Sequence, residues 1–309
     1  MRRLAILCPG QGAQNADMFE LACQDADTRE QFEQWELPQY LGMPLAQILA
    51  SRDLIFRNRY AQVLLVAAAM AAWSSVQKFL PAPALVMGYS IGELSAYAIA
   101  GSLTADDALS LAVTRAQLMD DACSLTPAQG MASVIGLMRE TLAVVLQRHG
   151  LYIAIAVGES SFIVGGLAAD IAAAVPDIAS LGGEVSAIPV EIASHTPLMH
   201  AATAGFQRAL EAGAFKAPHV AVMSGISAEP ILRQDTARTH LSRQLTETIR
   251  WSDCMDACVE QGVSVALELG PGAALSRMLQ KRHPGIICRS LQDFRSLAGL
   301  QDWVDRYCR

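Results

Sequence analysis

The sequence predicts an α/β protein. A larger α/β domain in two chain segments, 1–125 and 193–309, is interrupted by a small ferredoxin-like βαββαβ domain at 126–192. Three observations carry this reading. Gly88-Tyr89-Ser90-Ile91-Gly92 fits the Gly-x-Ser-x-Gly pattern of a nucleophile elbow. Apolar strand-like runs alternate with helical segments on both sides of it. Within 126–192 the order changes to strand, helix, strand, strand, helix, strand.

The first run, Leu4-Ala5-Ile6-Leu7-Cys8, is too short for a signal-peptide core and ends at Pro9-Gly10-Gln11-Gly12, so a β-strand is expected. Polar helical segments follow to about residue 57. The strongly apolar region 61–73 is too short for a membrane span of roughly 20 residues and predicts a helix, at 61–79, buried against a sheet. A buried strand at 84–87 enters the elbow, and a helix at 93–100 leaves it, stopping at Gly101. Thr104 caps the next helix, with Asp106 and Asp107 in its first turn. In the insert, strands are expected at 131–137, 151–157, 161–164 and 184–190, with helices at 141–149 and 168–181. Beyond it come a helix at 195–210, a strand at 219–224, a long helix at 236–261 and a buried strand at 264–269, closed by Gly270-Pro271-Gly272.

The 309 residues are 52% hydrophobic and 17% charged, enough apolar content for one large or two unequal domains. A net charge of −7 without a basic cluster argues against nucleic acid or an anionic membrane as partner. The seven cysteines are an odd number with no Cys-x-x-Cys pair, and Cys254 and Cys258, though on one helix face, read as ordinary thiols. No metal site is expected, and the free thiols point to a reducing, cytoplasmic setting.

The elbow supplies the chemistry. Ser90 sits at the apex of a sharp strand-to-helix turn, beside free helix N–H groups that favour a developing oxyanion. A serine hydroxyl needs a base. Of six histidines, His195 stands out because Ser194-His195 lies where the chain re-enters the larger domain. A neutral imidazole there can take the serine proton and return it to a leaving group.

Taken in order, several short motifs make the chain resemble the malonyl-CoA:acyl carrier protein transacylase family. They are Pro9-Gly10-Gln11-Gly12-Ala13-Gln14, the elbow through Glu93, Arg115 within Thr114-Arg115-Ala116-Gln117-Leu118-Met119, and Gly130-Met131-Ala132. Ser194-His195, Gln244-Leu245-Thr246 before Arg250-Trp251, and Glu268-Leu269-Gly270-Pro271-Gly272 complete the set. The resemblance runs nearly end to end. It implies a hydrolase-like large domain with a parallel sheet and a ferredoxin-like insert. It also implies a ping-pong acyltransferase in which Ser90 is acylated and His195 is the acid/base partner. Gln11 and the Ile91 N–H would form the oxyanion hole. The main-chain carbonyl of Gln244 would orient His195, and Arg115 would grip the free carboxylate of a malonyl group. A guanidinium suits that task because its fork makes two charge-assisted hydrogen bonds to a carboxylate. Malonyl-CoA would be the donor and the prosthetic thiol of an acyl carrier protein the acceptor, with no bound cofactor.

The chain departs from the family at two places. Tyr89 stands where histidine usually precedes the serine, and this Gly-Tyr-Ser form resembles the transacylase subunit of malonate decarboxylase. On that ground the sequence favours the decarboxylase subgroup, with its carrier subunit and other decarboxylase subunits as partners, over a transacylase of fatty-acid or polyketide synthesis. The segment Val157-Gly158-Glu159-Ser160-Ser161-Phe162 lacks the family's Asn- and Gln-rich signature, so no substrate contact is carried over there. Two other classes use the same elbow: a serine hydrolase or thioesterase, and a docking subunit that keeps the fold without catalysis.

Overall fold

The computed structural model describes residues 2–308; Met1 and Arg309, the ends of the expected large domain, lie outside the described residues. Its main sheet has six strands in the order β10 (Ile287–Ser290), β9 (Val263–Glu268), β1 (Arg3–Cys8), β2 (Leu85–Gly88), β7 (Val222–Met223) and β8 (Pro230–Ile231). The first, β1 (Arg3–Cys8), is buried from Leu4 onward. Its side chains alternate: Leu4, Ile6 and Cys8 enter one core, Ala5 and Leu7 the other. An apolar run buried on both faces suits the interior of a parallel sheet.

Four short helices follow, α1 (Ala26–Gln34), α2 (Leu37–Leu41), α3 (Leu45–Leu49) and α4 (Arg52–Phe56). The long α5 (Asn58–Val76) is buried nearly all round, as the apolar run from Val63 to Trp73 requires. Then come β2 (Leu85–Gly88), α6 (Gly92–Ile99) and α7 (Ala105–Ser124). Thr104 and Asp107 form a capping box at the start of α7, at the position expected from the sequence.

The second sheet is built from β3 (Gln129–Ile135), α8 (Arg139–His149), β4 (Tyr152–Gly158), β5 (Ser161–Leu167), α9 (Ala168–Ser180) and β6 (Glu184–Ile188). Its strand order, β4-β5-β3-β6, is antiparallel throughout and is that of a ferredoxin-like unit. Ile249 of the larger domain pairs with β4: the Ala156 N–H donates to Ile249 O at 2.8 Å, and the Ile249 N–H to Ala154 O at 2.9 Å.

The chain returns through α10 (His200–Ala212), β7 (Val222–Met223), β8 (Pro230–Ile231), α11 (Gln234–Arg243) and α12 (Trp251–Glu260). It ends with β9 (Val263–Glu268), α13 (Ala274–Arg282), β10 (Ile287–Ser290) and α14 (Leu297–Tyr307). Four differences from the sequence reading stand out. The single helix expected at 236–261 is two helices broken at 244–250, and the break leaves the Gln244 carbonyl free for a side chain. His195 lies outside the helix expected at 195–210, in a left-handed conformation with φ 61°. The strand expected at 219–224 shrinks to two residues. It gains an antiparallel neighbour, β8, that ends the sheet.

The register fixes the site. Cys8 pairs with Gly88 and Leu7 with both Met87 and Glu268. The carboxyl ends of β1, β2 and β9 are therefore level, and the Gln11 loop and the elbow emerge side by side. That end is where open parallel sheets bind ligands.

Candidate active site

The elbow follows from its two glycines. A Cβ on Gly88 would lie 2.2 Å from Glu93 Cα, and one on Gly92 would lie 2.1 Å from Cys8 O. Neither backbone can retreat, because β1 and β2 are paired at that level. Between them Ser90 has φ 57°. A non-glycine residue held there stores about 1–3 kcal/mol of strain. The Glu93 N–H donates to Ser90 O at 3.0 Å, which starts α6 directly beneath the serine. Ile91 occupies the N-cap of α6, where no helical carbonyl is placed to accept from its N–H.

Ser90 Oγ lies 2.8 Å from His195 Nε2. On the other side of the ring, His195 Nδ1 lies 2.6 Å from Gln244 O. A carbonyl can only accept, so Nδ1 carries the proton and Nε2 is free to accept from the serine hydroxyl. The His195 main chain is tied to the same segment, its N–H donating to Leu245 O at 2.9 Å. Burial, and next the charge of Arg115, push the imidazole down to about 3, against a smaller opposing effect of the Gln244 carbonyl. The ring is thus neutral at physiological pH, the form a general base requires.

Arg115 is 3% exposed. Its guanidinium donates to Gln62 Oε1 at 2.7 Å and to Gln244 Oε1 at 3.3 Å, so two amide oxygens hold it where a carboxylate would ordinarily stand. Burial lowers its pKa to about 10, with Glu93 opposing, so it stays cationic at neutral pH. A buried cation that meets only amides is costly unless an anion arrives.

Gln11, Ser90, Arg115 and His195 line one cavity of about 110 Å³, together with Tyr89, Asn58, Ser194 and an apolar wall that includes Met131, Ile155, Ile188 and Ile192. This is small beside the roughly 300–1,000 Å³ of most small-molecule sites and suits a short acyl group. A wider cleft of about 870 Å³ shares Gln11, Asn58, Ile188, Val190 and Ile192 with it, and carries Arg52, Arg57 and Arg59 beside Asp53, Asp120 and Glu191. The edge of Tyr89 meets Trp251, with ring centroids 5.1 Å apart at 81°.

The structure therefore brings every residue singled out in the sequence to one place. Gln62 and Asn58 escaped the sequence reading. Gln62 is fully buried on α5, and its Nε2 donates to Asn58 Oδ1 at 2.6 Å. The Gln11 amide donates to the same oxygen at 3.1 Å. The available signal was one glutamine at the start of the apolar run of α5, a group that burial forces to find a partner. Among the described residues no helix is long and apolar enough to cross a membrane.

A mostly parallel α/β sheet with a hydroxyl–imidazole pair at an elbow, and a backbone carbonyl behind the imidazole, fits an acyltransferase site. Residues 6–286 match the family described as "Acyl transferase domain", and the chain belongs to that family. The malonyl CoA-acyl carrier protein transacylase of Mycobacterium tuberculosis is 29% identical over 303 residues, covering 96% of this chain and all of the relative. The protein of the same description from Bacillus subtilis is 27% identical, over 91% of this chain and 90% of its own. The solved structure of FabD from Acinetobacter baumannii superposes with a TM-score of 0.89 at 27% identity. That match covers 99% of this chain and 98% of the other.

Proposed function

We propose that this acyltransferase moves a malonyl group from malonyl-CoA, through an acyl-Ser90 intermediate, to the prosthetic thiol of an acyl carrier protein. The observation that carries the reading is Arg115: a buried guanidinium beside the serine, in a cavity with room for little more than a three-carbon acyl group. The thioester would enter with its free carboxylate on Arg115, whose fork binds it bidentately. Ser90 Oγ attacks the thioester carbon as its proton passes to His195 Nε2. The oxyanion takes hydrogen bonds from the Ile91 N–H and from Gln11. On collapse the C–S bond breaks, and the proton on Nε2 goes to the departing CoA sulfur. The carrier thiol then gives its proton to Nε2 and attacks the acyl carbon, and Ser90 leaves with that proton. The wide cleft offers a path for the long arm of either thiol, with Arg52, Arg57 and Arg59 among its lining residues to meet phosphate groups. In this reading 1–125 and 193–309 form the catalytic domain, and 126–192 the small domain that walls the acyl cavity.

The described relatives support a malonyl-CoA:acyl carrier protein transacylase over the malonate decarboxylase setting favoured by the sequence. Tyr89 is the observation on the other side: it lines the cavity next to Ser90. Offering malonyl-CoA with a phosphopantetheine carrier and with a phosphoribosyl-dephospho-CoA carrier decides between them. Faster charging of the phosphopantetheine carrier supports the transacylase reading, and the reverse preference supports the decarboxylase. Free malonate as the main product, with neither carrier charged, contradicts transfer and makes the protein a thioesterase.

A further inference from the structure

Glu93 is 1% exposed, three residues after Ser90 in the first turn of α6, and the mechanism above does not use it. Its Oε2 accepts from Gln244 Nε2 at 2.6 Å and from the Gly225 N–H at 3.1 Å. The Gln244 amide is therefore bound on both sides. Its NH₂ faces Glu93 and also reaches Ser90 O at 3.3 Å, while its oxygen faces Arg115 at 3.3 Å. Glu93 Oε2 accepts whether the carboxyl is ionised or carries its proton on Oε1, which has no hydrogen-bond partner among the described residues, and a guanidinium only donates. An amide between them has a single workable orientation, with nitrogen to Glu93 and oxygen to Arg115.

We propose that Glu93 is a positioning residue: through Gln244 it fixes Arg115 in the geometry that receives the substrate carboxylate. The inference rests on the carboxylate-binding reading of Arg115. A direct Glu93–Arg115 ion pair would fill the guanidinium fork and compete with substrate. The interposed amide avoids this. It polarises the Gln244 oxygen towards Arg115, as hydrogen bonds in series do, and, with one N–H of Nη1 on Gln62 and one of Nη2 on Gln244, leaves the other N–H groups of the guanidinium for a ligand. The same residue's main-chain carbonyl holds His195 at 2.6 Å, so one glutamine sets both the cation and the base.

The experiment compares kcat/KM for malonyl-CoA and acetyl-CoA in wild type, Glu93→Met, Glu93→Asp, Glu93→Gln, Arg115→Ala and Glu93→Met/Arg115→Ala. Methionine keeps the volume but cannot accept the amide, and aspartate keeps the charge but falls short of it. Both should lower the malonyl/acetyl ratio roughly tenfold, the coupling expected within one hydrogen-bond network. Glutamine can still accept from Gln244 and should keep the ratio within about threefold of wild type. In the Arg115→Ala background, Glu93→Met should change the ratio no further. Equal losses on both donors in the Met and Asp variants would overturn the proposal. So would a Gln variant as impaired in ratio as Met, or an undiminished Glu93→Met effect without Arg115. If Arg115→Ala itself leaves the ratio unchanged, the carboxylate-binding reading fails. The double variant still reports whether Glu93 acts through Arg115. Aspartate keeps the test decisive if Glu93→Met does not fold.

Discussion

The main-chain carbonyl of Gln244 accepts a hydrogen bond from His195 Nδ1 at 2.6 Å, in the place an acidic side chain takes in a Ser-His-Asp triad. A carbonyl fixes the tautomer and aims Nε2 at Ser90, but it brings no full charge to stabilise an imidazolium. With Arg115 nearby, the ring resists protonation in the resting enzyme.

Because that carbonyl belongs to the backbone, Gln244→Ala should leave the dyad in place. The Ser90 labelling rate with a neutral fluorophosphonate should stay within about threefold of wild type. Malonyl transfer should fall roughly tenfold, since Arg115 and Glu93 lose the amide between them. Labelling kinetics beside transfer assays check this. His195→Ala, by contrast, should slow both by about 10²–10⁴-fold, the range for a general base.

The depressed pKa of His195 has a sign that can be measured. Its folded value, about 3, lies below the ordinary 6.5. Between these values the unfolded chain binds the extra proton, so this contribution to stability is full above pH 6.5 and is lost as pH falls towards 3. From pH 7 to pH 4, the Tm of wild type should drop further than that of His195→Gln. A parallel decline in the two would contradict a buried neutral imidazole.

Glu93 titrates in the opposite sense. Burial raises it from 4.5 to about 7, only partly offset by the Gly225 and Gln244 hydrogen bonds and by the charge of Arg115. Between those values the unfolded chain has lost a proton that the folded chain retains, so folding becomes less favourable as pH rises. Glu93→Gln should gain Tm relative to wild type from pH 5 to pH 8. A difference that stays flat across that range would refute the raised value.

The elbow glycines make a steric prediction. Gly88→Ala would place a Cβ 2.2 Å from the Glu93 main chain, with paired strands on one side and α6 on the other. The variant should lose more than about 3 kcal/mol of stability, in the range of severe backbone effects. Chemical denaturation measures this directly.

What the sequence made legible was local. Gly88, Ser90 and Gly92 are close in the chain, and their geometry needs only a strand before and a helix after. Thr104 with Asp107, and the strand–helix order of the insert, are legible for the same reason. Long-range partners were not. Gln62 reads as a blemish in an apolar helix until α7 brings Arg115 to it. The stretch 236–261 has helical periodicity throughout. It breaks after Arg243 because Gln244 serves His195 and Ile249 pairs with β4, contacts invisible in local sequence. His195 stood out only by its place where the chain re-enters the larger domain, and Arg115 and Gln244 came from family resemblance alone, since no local pattern marks an arginine on a helix or a glutamine carbonyl as part of a site.

Intact-protein mass after brief exposure to malonyl-CoA or acetyl-CoA tests the central claim most directly, with wild type, Ser90→Ala and Arg115→Ala run in parallel. A malonyl adduct should form on wild type and discharge when carrier protein is added, and Ser90→Ala should show none. Arg115→Ala should lose malonyl acylation on the order of 100-fold or more while acetyl acylation falls far less, because leaving a buried charge pair incomplete costs about 3–5 kcal/mol. An adduct that persists in Ser90→Ala, or an Arg115→Ala variant that loses both acyl groups equally, would contradict the account.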